Sequence, residues 1–398
     1  MGKCIGRKKS GIAPLTAMNN KSQLSLIRFI GNPFSPHVRS WVEFLEKAGI
    51  ECEVWHVDTG GKEPLVTCRV RNIFGFAAPV FSRLGLLRYF IGGILARFLF
   101  RDNVLCHAHC ASGYGTVAWL SGRDYIMTTY GSEIYQASDR AALYRVLIKR
   151  ILLKATLITA TSQSMADALV NIFNIQTGKI EIMKLAVSEK IFYFDPEKRS
   201  AARGRRLIGS SELVWCVNRR VRPLYNTLEV VGGFISFLEA GGKGRLLVLA
   251  GDADATYLER VKRLASSSHM GGKIEFREGL LAQTEIAELL NMSDFAISVP
   301  NSDQMSSSII EAMACRCLVV LSDLAAYAEV KRRRLAHFCQ DLSTKGFKNM
   351  FLETAMMMPS EKETIVERAF ISVKEDYSEA ASIRQVHELY NKAIERNS

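Results

Sequence analysis

The chain contains 398 residues, of which 48% are hydrophobic and 23% are charged, with 28 Gly and 9 Pro. This composition suits two globular domains and excludes a disordered chain, a collagen-like repeat and a small disulfide scaffold. The net charge of +12 is uneven: residues 1–190 hold 24 Lys and Arg against 13 Asp and Glu, and the remainder holds 28 against 27. The basic first half favours contact with a polyanion, either nucleic acid or an anionic membrane.

Residues 1–23 are polar and basic, which predicts a disordered leader rather than a signal peptide. The nine cysteines are an odd number and mostly lie in apolar runs. Free thiols in a reducing compartment have this distribution, so we expect a cytoplasmic protein.

Strand-like and helix-like patterns alternate from residue 24 onward. In the first half, strands are predicted at 24–30, 53–57, 104–109, 125–129 and 157–160, and the clearest helical spacing lies at 36–47. A polar stretch at 191–210 is interpreted as a linker. The alternation resumes with strands predicted at 213–217, 245–250, 273–277, 295–299 and 317–321. These patterns predict two doubly wound, Rossmann-like α/β domains at 24–190 and 211–360, followed by C-terminal helices at 361–398.

The most apolar stretch, residues 84–101, is too short to span a bilayer and carries Arg88, Arg97 and Arg101. One interpretation is a helix that lies in the interface of an anionic membrane, with its basic groups toward the headgroups. The other is an ordinary core helix whose arginines extend to solvent. The pattern alone leaves both open.

Several common motifs are absent from the sequence. It contains neither a P-loop nor a Gly-x-Gly-x-x-Gly turn after a strand. The run Cys-His-Ala-His-Cys at 106–110 resembles a metal motif, but on a strand its Cys and His side chains point to opposite faces. We therefore expect no metal and no cofactor.

The most informative segment is 298–330, where a strand is followed by a polar loop and then by a helix that opens in three serines. Unpaired N–H groups at a helix start, flanked by hydroxyls, suit a phosphate. Asp303 and Glu311 lie eight positions apart across this loop and helix. Alternatively, Ser308 and Glu311 form a capping box that needs no ligand.

This segment resembles the acidic-x7-Glu motif of the retaining GT-B glycosyltransferases, group 1 (family 4), with Asp303 and Glu311 followed by Ala-Met-Ala. Four other stretches are similar to the same family in the same order: 35–49, 130–133, 161–164 and 219–226. The resemblance implies two Rossmann-like domains that face each other across a cleft, with a C-terminal helix returning to the N-terminal domain. It also implies sugar transfer from a nucleotide diphosphate sugar to a glycan or glycolipid acceptor.

The resemblance further implies roles for individual residues. Glu311 would bind the ribose, Asp303 the hydroxyls of the donor sugar, and Arg219 the diphosphate, where it stabilises charge on the leaving group. The implied donor-binding residues are Asn32, Gly131, Ser132, Arg220, Asn226, Ser306 and Ser307. His109 and Glu133 are candidate sugar contacts, although His109 equally suits a structural role. Because arginine and a helix N-terminus supply positive charge, no metal is implied.

The sequence departs from the family pattern at several positions. Asn226 stands where a lysine is usual, and Tyr130 where a histidine is frequent. Arg316 and Leu318 replace a glycine and a proline. Arg316 must therefore either adopt a different backbone conformation or strain a turn.

The sequence thus favours a retaining glycosyltransferase of cell-surface polysaccharide or glycolipid biosynthesis, peripheral on the inner membrane face. The alternatives are a sugar epimerase or phosphorylase on the same fold and, more remotely, a basic nucleic-acid-binding protein. No helix-turn-helix, zinc finger or aromatic stacking motif accompanies the basic charge, so we expect no nucleic-acid partner.

Overall fold

The computed structural model describes residues 26–58, 63–137, 140–184, 186–251 and 253–397. The leader predicted at 1–23 lies outside these residues. Within them, the chain forms two parallel β-sheets, each covered by helices on both faces. The first sheet is built from residues 27–182 and the second from residues 214–339.

The first sheet has the strand order β3-β2-β1-β4-β5-β6-β7, and neighbouring strands are parallel throughout. Its strands are β1 (Ile27–Ile30), β2 (Cys52–His56), β3 (Arg69–Asn72), β4 (Cys106–His109), β5 (Tyr125–Thr128), β6 (Leu157–Ala160) and β7 (Ile180–Ile182). The helices of this half are α1 (Pro36–Lys47), α2 (Ala78–Phe81), α3 (Leu87–Leu99), α4 (Tyr114–Ser121), α5 (Ser132–Tyr135), α6 (Ala142–Lys154) and α7 (Gln163–Phe173).

The second sheet has the order β10-β9-β8-β11-β12-β13, again parallel. Its strands are β8 (Val214–Val217), β9 (Arg245–Ala250), β10 (Ile274–Glu278), β11 (Phe295–Ser298), β12 (Leu318–Ser322) and β13 (His337–Cys339). The remaining helices are α8 (Pro196–Arg205), α9 (Thr227–Glu239), α10 (Ala255–Ser267), α11 (Gln283–Met292), α12 (Ser307–Ala314), α13 (Ala328–Arg332), α14 (Thr344–Met356), α15 (Pro359–Asp376) and α16 (Glu379–Asn397).

Local sequence explains these elements. The central strands β1, β4, β5 and β6 are buried along their whole length, as strands covered on both faces must be. Helix α1 begins with Pro36, which suits the first helical position, and turns Trp41 and Leu45 inward. Gly49 follows with a left-handed φ of 71°, which lets the chain turn back toward β2.

The segment predicted as a linker, 191–210, contains helix α8. Asp195 caps its start with two backbone N–H bonds, and Pro196 occupies its first position. The charged side chains that suggested a linker are used in packing: Arg203 is buried and donates to the Met292 carbonyl, and Arg199 pairs with Asp294 at 2.9 Å. The predicted strands also omit β3, β7 and β13, which are short strands at or next to a sheet edge.

The C-terminal helices connect the two halves, which confirms the expected return to the N-terminal domain. Helix α15 packs against α12, and α16 packs against α1. The Lys47 ammonium pairs with Glu379 at 2.7 Å, and the Tyr390 hydroxyl lies 2.6 Å from Nδ1 of the buried His107. Among the residues that the structure describes, no helix is both long and apolar enough to cross a bilayer.

Candidate active site

The carboxyl ends of the two sheets meet at a cleft, where loops from both halves are in contact. Gln304, in the loop between β11 and α12, reaches the loops that follow β5 and β6. The Thr161 hydroxyl donates to Gln304 Oε1 over 2.7 Å. A Cβ atom at Gly131 would lie 2.5 Å from Gln304 Nε2, so only glycine leaves room for this approach. Doubly wound sheets bind ligands at this edge, so the cleft is the candidate ligand-binding site.

Arg219 lies at the centre of the donor side of the cleft. It follows β8, and its Nη2 atom pairs with Asp303 Oδ2 at 2.9 Å. Its Nη1 atom donates to the Ser308 hydroxyl at 3.0 Å and also to the Ser306 hydroxyl. The Tyr225 ring lies 4.7 Å from the guanidinium carbon. These contacts fix a permanent cation at the N-terminus of α12.

The serines at the start of α12 point to the cation rather than to a helix cap. Ser306 occupies the N-cap position, but its side chain makes no capping bond. Ser306 Oγ lies 2.9 Å from Ser308 Oγ, and both hydroxyls contact Arg219. The capping-box interpretation of Ser308 and Glu311 is therefore not what the structure shows. Ser307, the first residue of the helix, is exposed.

Asp303 has a second partner that the sequence analysis missed. Tyr327, which follows β12, donates its hydroxyl to Asp303 Oδ2 over 2.8 Å. Burial and the neighbouring carboxylate raise the pKa of this phenol, so it stays protonated and remains a donor. Nothing in the local pattern around Tyr327 marks it, since it lies 24 positions after Asp303.

Glu311 is a half-buried carboxyl group on α12, one turn beyond these serines. Burial raises its pKa to about 7, against the opposing effects of a hydrogen bond from Ser307 and the charge of Arg219. Burial penalises the charged form, and the two favourable contacts only partly compensate. The group thus changes its charge within the physiological pH range.

The two other predicted donor-binding residues after β8, Arg220 and Asn226, behave differently from Arg219. Arg220 lies near His37 of the first half, where burial and, to a smaller extent, the charge of Arg220 lower the pKa of that histidine. Asn226 is buried with a left-handed φ of 53°. Its amide donates to the Val299 carbonyl at 2.8 Å and exchanges hydrogen bonds with Asn301. The asparagine that replaces the expected lysine thus holds two loops together, with its amide engaged inside the protein.

The residues of the first domain that were predicted to face the donor or its sugar lie at the carboxyl ends of β1 and β5. Asn32 accepts a bond from the Phe34 amide at 2.8 Å, which shapes the first loop. Glu133 is buried and accepts from the Tyr130 amide at 2.8 Å, so its carboxylate supports the glycine turn at 131. Ser132 is the first residue of α5.

His109, at the end of β4, belongs to a row of aromatic rings. Its Nδ1 atom lies 2.6 Å from the Tyr130 hydroxyl, and the His37 ring stacks on Tyr130 at 4.8 Å. Burial and the neighbouring histidines hold its pKa well below the usual range, so the imidazole is neutral. Its Nε2 atom is buried and has no hydrogen-bond partner among the described residues. A buried polar atom without a partner suits a ligand hydroxyl.

The Cys-His-Ala-His-Cys run shows no metal arrangement in the structure. Cys106 packs in the core on one face of the first sheet, whereas the rings of His107 and His109 lie 4.5 Å apart on the other. Both ring nitrogens of His107 already have partners, Tyr390 and Thr128. Within the described residues, no three His, Cys, Asp or Glu side chains are grouped so that they could hold a metal ion.

Each half of the chain matches the model of a known protein family. The family Glycosyltransferase Family 4 matches residues 35–189, and the family Glycosyl transferases group 1 matches residues 221–337. N-acetyl-alpha-D-glucosaminyl L-malate synthase of Bacillus anthracis is 23% identical over 309 residues, covering 73% of this chain and 75% of its own.

Solved structures show the same architecture. Sucrose-phosphate synthase of Thermosynechococcus elongatus is 18% identical, with a TM-score of 0.74 over 93% of this chain and 99% of its own. Anabaena Alr3699/HepE, solved in complex with UDP and glucose, is 13% identical, with a TM-score of 0.73 over 92% of this chain and 99% of its own. Two facing parallel sheets, the acidic loop before α12 and these matches in both halves lead to one conclusion: the chain belongs to the group 1 glycosyltransferases of the GT-B fold.

Proposed function

We propose that the protein is a retaining glycosyltransferase that moves a sugar from a nucleotide diphosphate donor to a lipid-linked or other glycan acceptor, with an α-linkage. The observation that carries the proposal is the position of Arg219 at the start of α12, between Asp303 and the serine hydroxyls. A fixed cation beside helix N–H groups stabilises the negative charge that grows on a departing diphosphate. Retention is proposed from the resemblance of the acidic-x7-Glu motif.

The donor would bind across this loop and helix. Arg219, with the hydroxyls and N–H groups of residues 306–308, would hold the diphosphate, and Arg220 would add positive charge. Glu311, when ionised, would accept bonds from the ribose hydroxyls. Asp303, oriented by Tyr327, would bind hydroxyls of the sugar. These groups supply the positive field without a divalent cation, so we propose a metal-independent reaction.

The acceptor would bind from the first domain. The unpartnered Nε2 atom of His109 supports a hydrogen bond to a sugar hydroxyl near Gly131. The exposed apolar side chains and arginines of residues 84–101 support a peripheral position on the inner membrane face. A membrane-bound acceptor there belongs to cell-surface polysaccharide or glycolipid biosynthesis.

Thermal unfolding with a panel of UDP, ADP and GDP sugars tests the donor site. A ligand at about 100 times its Kd stabilises the folded state by about 2.7 kcal/mol, so the true donor raises the melting temperature. Product analysis then separates the enzyme classes. Nucleoside diphosphate that forms only with an acceptor supports transfer, whereas epimerised donor without an acceptor, or release that depends on phosphate, indicates an epimerase or phosphorylase.

Substitution of Arg219 tests the site assignment. We expect Arg219→Ala to lower kcat/KM by about 10²–10³-fold, as removal of a donor to a developing anion does elsewhere. Arg263→Ala, which removes an exposed arginine of α10, is the matched control and should transfer at the wild-type rate. Unchanged transfer by a folded Arg219→Ala protein contradicts the assignment.

A further inference from the structure

One face of the first domain exposes an unusual number of large apolar side chains. They lie on α3, on the segment just before it and on α6. The exposed set is Phe76, Val80, Leu84, Leu86, Leu87, Phe90, Ile94, Phe98, Leu99, Leu143, Val146 and Leu153. We call this surface the basic-apolar face, for residues 75–101 and 140–154 together. Large apolar side chains exposed in this number mark an interaction site.

The packing of α3 explains why its large side chains face outward. Its inward side consists of Gly92, Gly93 and Ala96. A Cβ atom at Gly92 would lie 2.6 Å from Val57, and one at Gly93 would lie 2.7 Å from Leu120. The helix therefore lies so close to the sheet and to α4 that only small residues fit inside. Its leucines and phenylalanines are left on the outside.

The charge of the face is of one sign. Residues 75–101 and 140–154 contain nine Lys and Arg and no Asp or Glu. Eight of the nine are exposed: Arg83, Arg97, Arg101, Arg140, Arg145, Lys149, Arg150 and Lys154. On α6 the exposed apolar and basic side chains alternate around the outer surface, so both kinds of group meet the same partner.

Helices α3 and α6 lie on the same side of the first sheet and flank the short, recessed helix α4, against which both pack. Because the helices run antiparallel to the strands, their N-termini lie at the carboxyl edge of the sheet, where the cleft opens. The ion pair between Arg88 at the start of α3 and Asp58 just after β2 marks this edge, at 2.8 Å. The exposed leucines at 84, 86, 87 and 143 are thus near the cleft.

We infer that α3 and α6 together form a docking surface for an anionic lipid membrane, which brings a membrane-bound acceptor to the mouth of the cleft. The inference rests on the proposed function for the acceptor. It adds α6 as a second helix, an anionic lipid class, and an orientation in which the mouth of the cleft lies near the membrane. Apolar side chains enter the acyl boundary while the cations contact acidic headgroups. A second copy of this chain bound through the same face would bring like charges together. A nucleic acid would contact the cations but would make no use of the exposed leucines as apolar contacts.

Vesicle co-sedimentation of the full chain tests the surface. Phosphatidylcholine vesicles and vesicles of phosphatidylcholine mixed with phosphatidylglycerol are compared at low and physiological salt. We expect binding to the anionic vesicles and weakening by salt. The double variant Lys149→Glu/Arg150→Glu on α6 should bind at least about tenfold more weakly, because each surface cation contributes substantially to the free energy of binding to anionic vesicles. Leu86→Glu and Phe98→Glu on α3 should also weaken binding.

The matched controls are Arg263→Glu/Lys345→Glu and Leu280→Glu, which change exposed residues of the second domain and should bind as wild type. Equal melting temperatures show that the variants fold. Equal binding to neutral vesicles, or full binding by the α6 variant, overturns the inference. Dimers that Leu86→Glu disrupts would also overturn it and assign the face to a second copy. Because the assay needs no transfer, its failure is distinct from failure of the proposed activity.

Discussion

Glu311 combines a position in the proposed donor site with a cost in stability. Its half-buried carboxyl group lies on α12, and burial raises its pKa from 4.5 to about 7. Between these values the unfolded chain releases the proton while the folded protein keeps it, so the free energy of unfolding falls as pH rises and levels off above pH 7. A shift of this size corresponds to as much as about 3 kcal/mol. A carboxylate held for a ligand is a physical reason to retain this cost.

We therefore predict that Glu311→Gln is more stable than wild type at pH 8 and nearly equal to it at pH 4.5, because the neutral amide carries no desolvated charge. Urea unfolding at both pH values measures the difference. Glu388→Gln, an exposed glutamate of α16, should show no such pH dependence. A destabilised Glu311→Gln protein at pH 8 would disprove the account. Loss of transfer in the same variant would show that the charge is retained for function.

At the level of the secondary-structure elements, Arg316 shows how this chain accommodates an arginine where the family pattern has a glycine. The residue follows the end of α12 and adopts a left-handed φ of 59°, so of the two alternatives that the sequence left open the structure shows the strained turn. The long side chain contributes contacts that glycine cannot. Its guanidinium pairs with Glu363 at 2.9 Å and with Glu367, and stacks over Phe370, all on α15. The strain at the turn is offset by a connection between two helices.

This view predicts an order of stabilities at position 316. Arg316→Ala loses the ion pairs and keeps the strained backbone, whereas Arg316→Gly loses the pairs but relieves the strain. We expect Arg316→Gly to be more stable than Arg316→Ala by about 1 kcal/mol. Urea denaturation of the three proteins measures the order. Equal stability of the two variants would show that the left-handed conformation carries no penalty here.

At the level of the whole molecule, the two domains are joined at the cleft by Gln304 and behind it by the C-terminal helices. The contacts at the cleft include a hydrogen bond from Thr161 to Gln304, the close approach of Gln304 to Gly131 and the packing of α7 against residues 325–327. The connection through α15 and α16 is extensive and includes the Lys184 ammonium between Glu329 and Asp376. Opening of the cleft therefore breaks the Gln304 contacts, while the C-terminal helices continue to join the two domains.

We predict that Gln304→Ala shifts the equilibrium toward an open cleft. Loss of one hydrogen bond worth about 1 kcal/mol changes the ratio of open to closed molecules about fivefold. Small-angle scattering of the ligand-free protein should show a larger radius of gyration, and Thr161→Val should reproduce it. Gln163→Ala is the control, because Gln163 bonds only to Asp167 of its own helix among the contacts described. A radius unchanged by Gln304→Ala would contradict the prediction.

The sequence by itself determined the architecture and the central loop of the site. Alternating patterns specified parallel sheets because period and burial are local properties that each segment carries in its own residues. The spacing of Asp303 and Glu311 likewise lies within one loop and helix. The same local reasoning did not predict helix α8 within 191–210, whose arginines pair with Asp294, far along the chain.

Only the tertiary structure decided which side chains meet. Arg219 and Asp303 form an ion pair across 84 positions, Tyr327 joins them from the end of another strand, and Gln304 reaches Gly131 across the cleft. The outward direction of the α3 leucines is also tertiary, because it depends on how closely two glycines approach Val57 and Leu120. The physical reason is common to all of these contacts. They depend on how strands and helices are stacked in three dimensions, and the local periodicity of the sequence does not indicate which distant residue will be the partner.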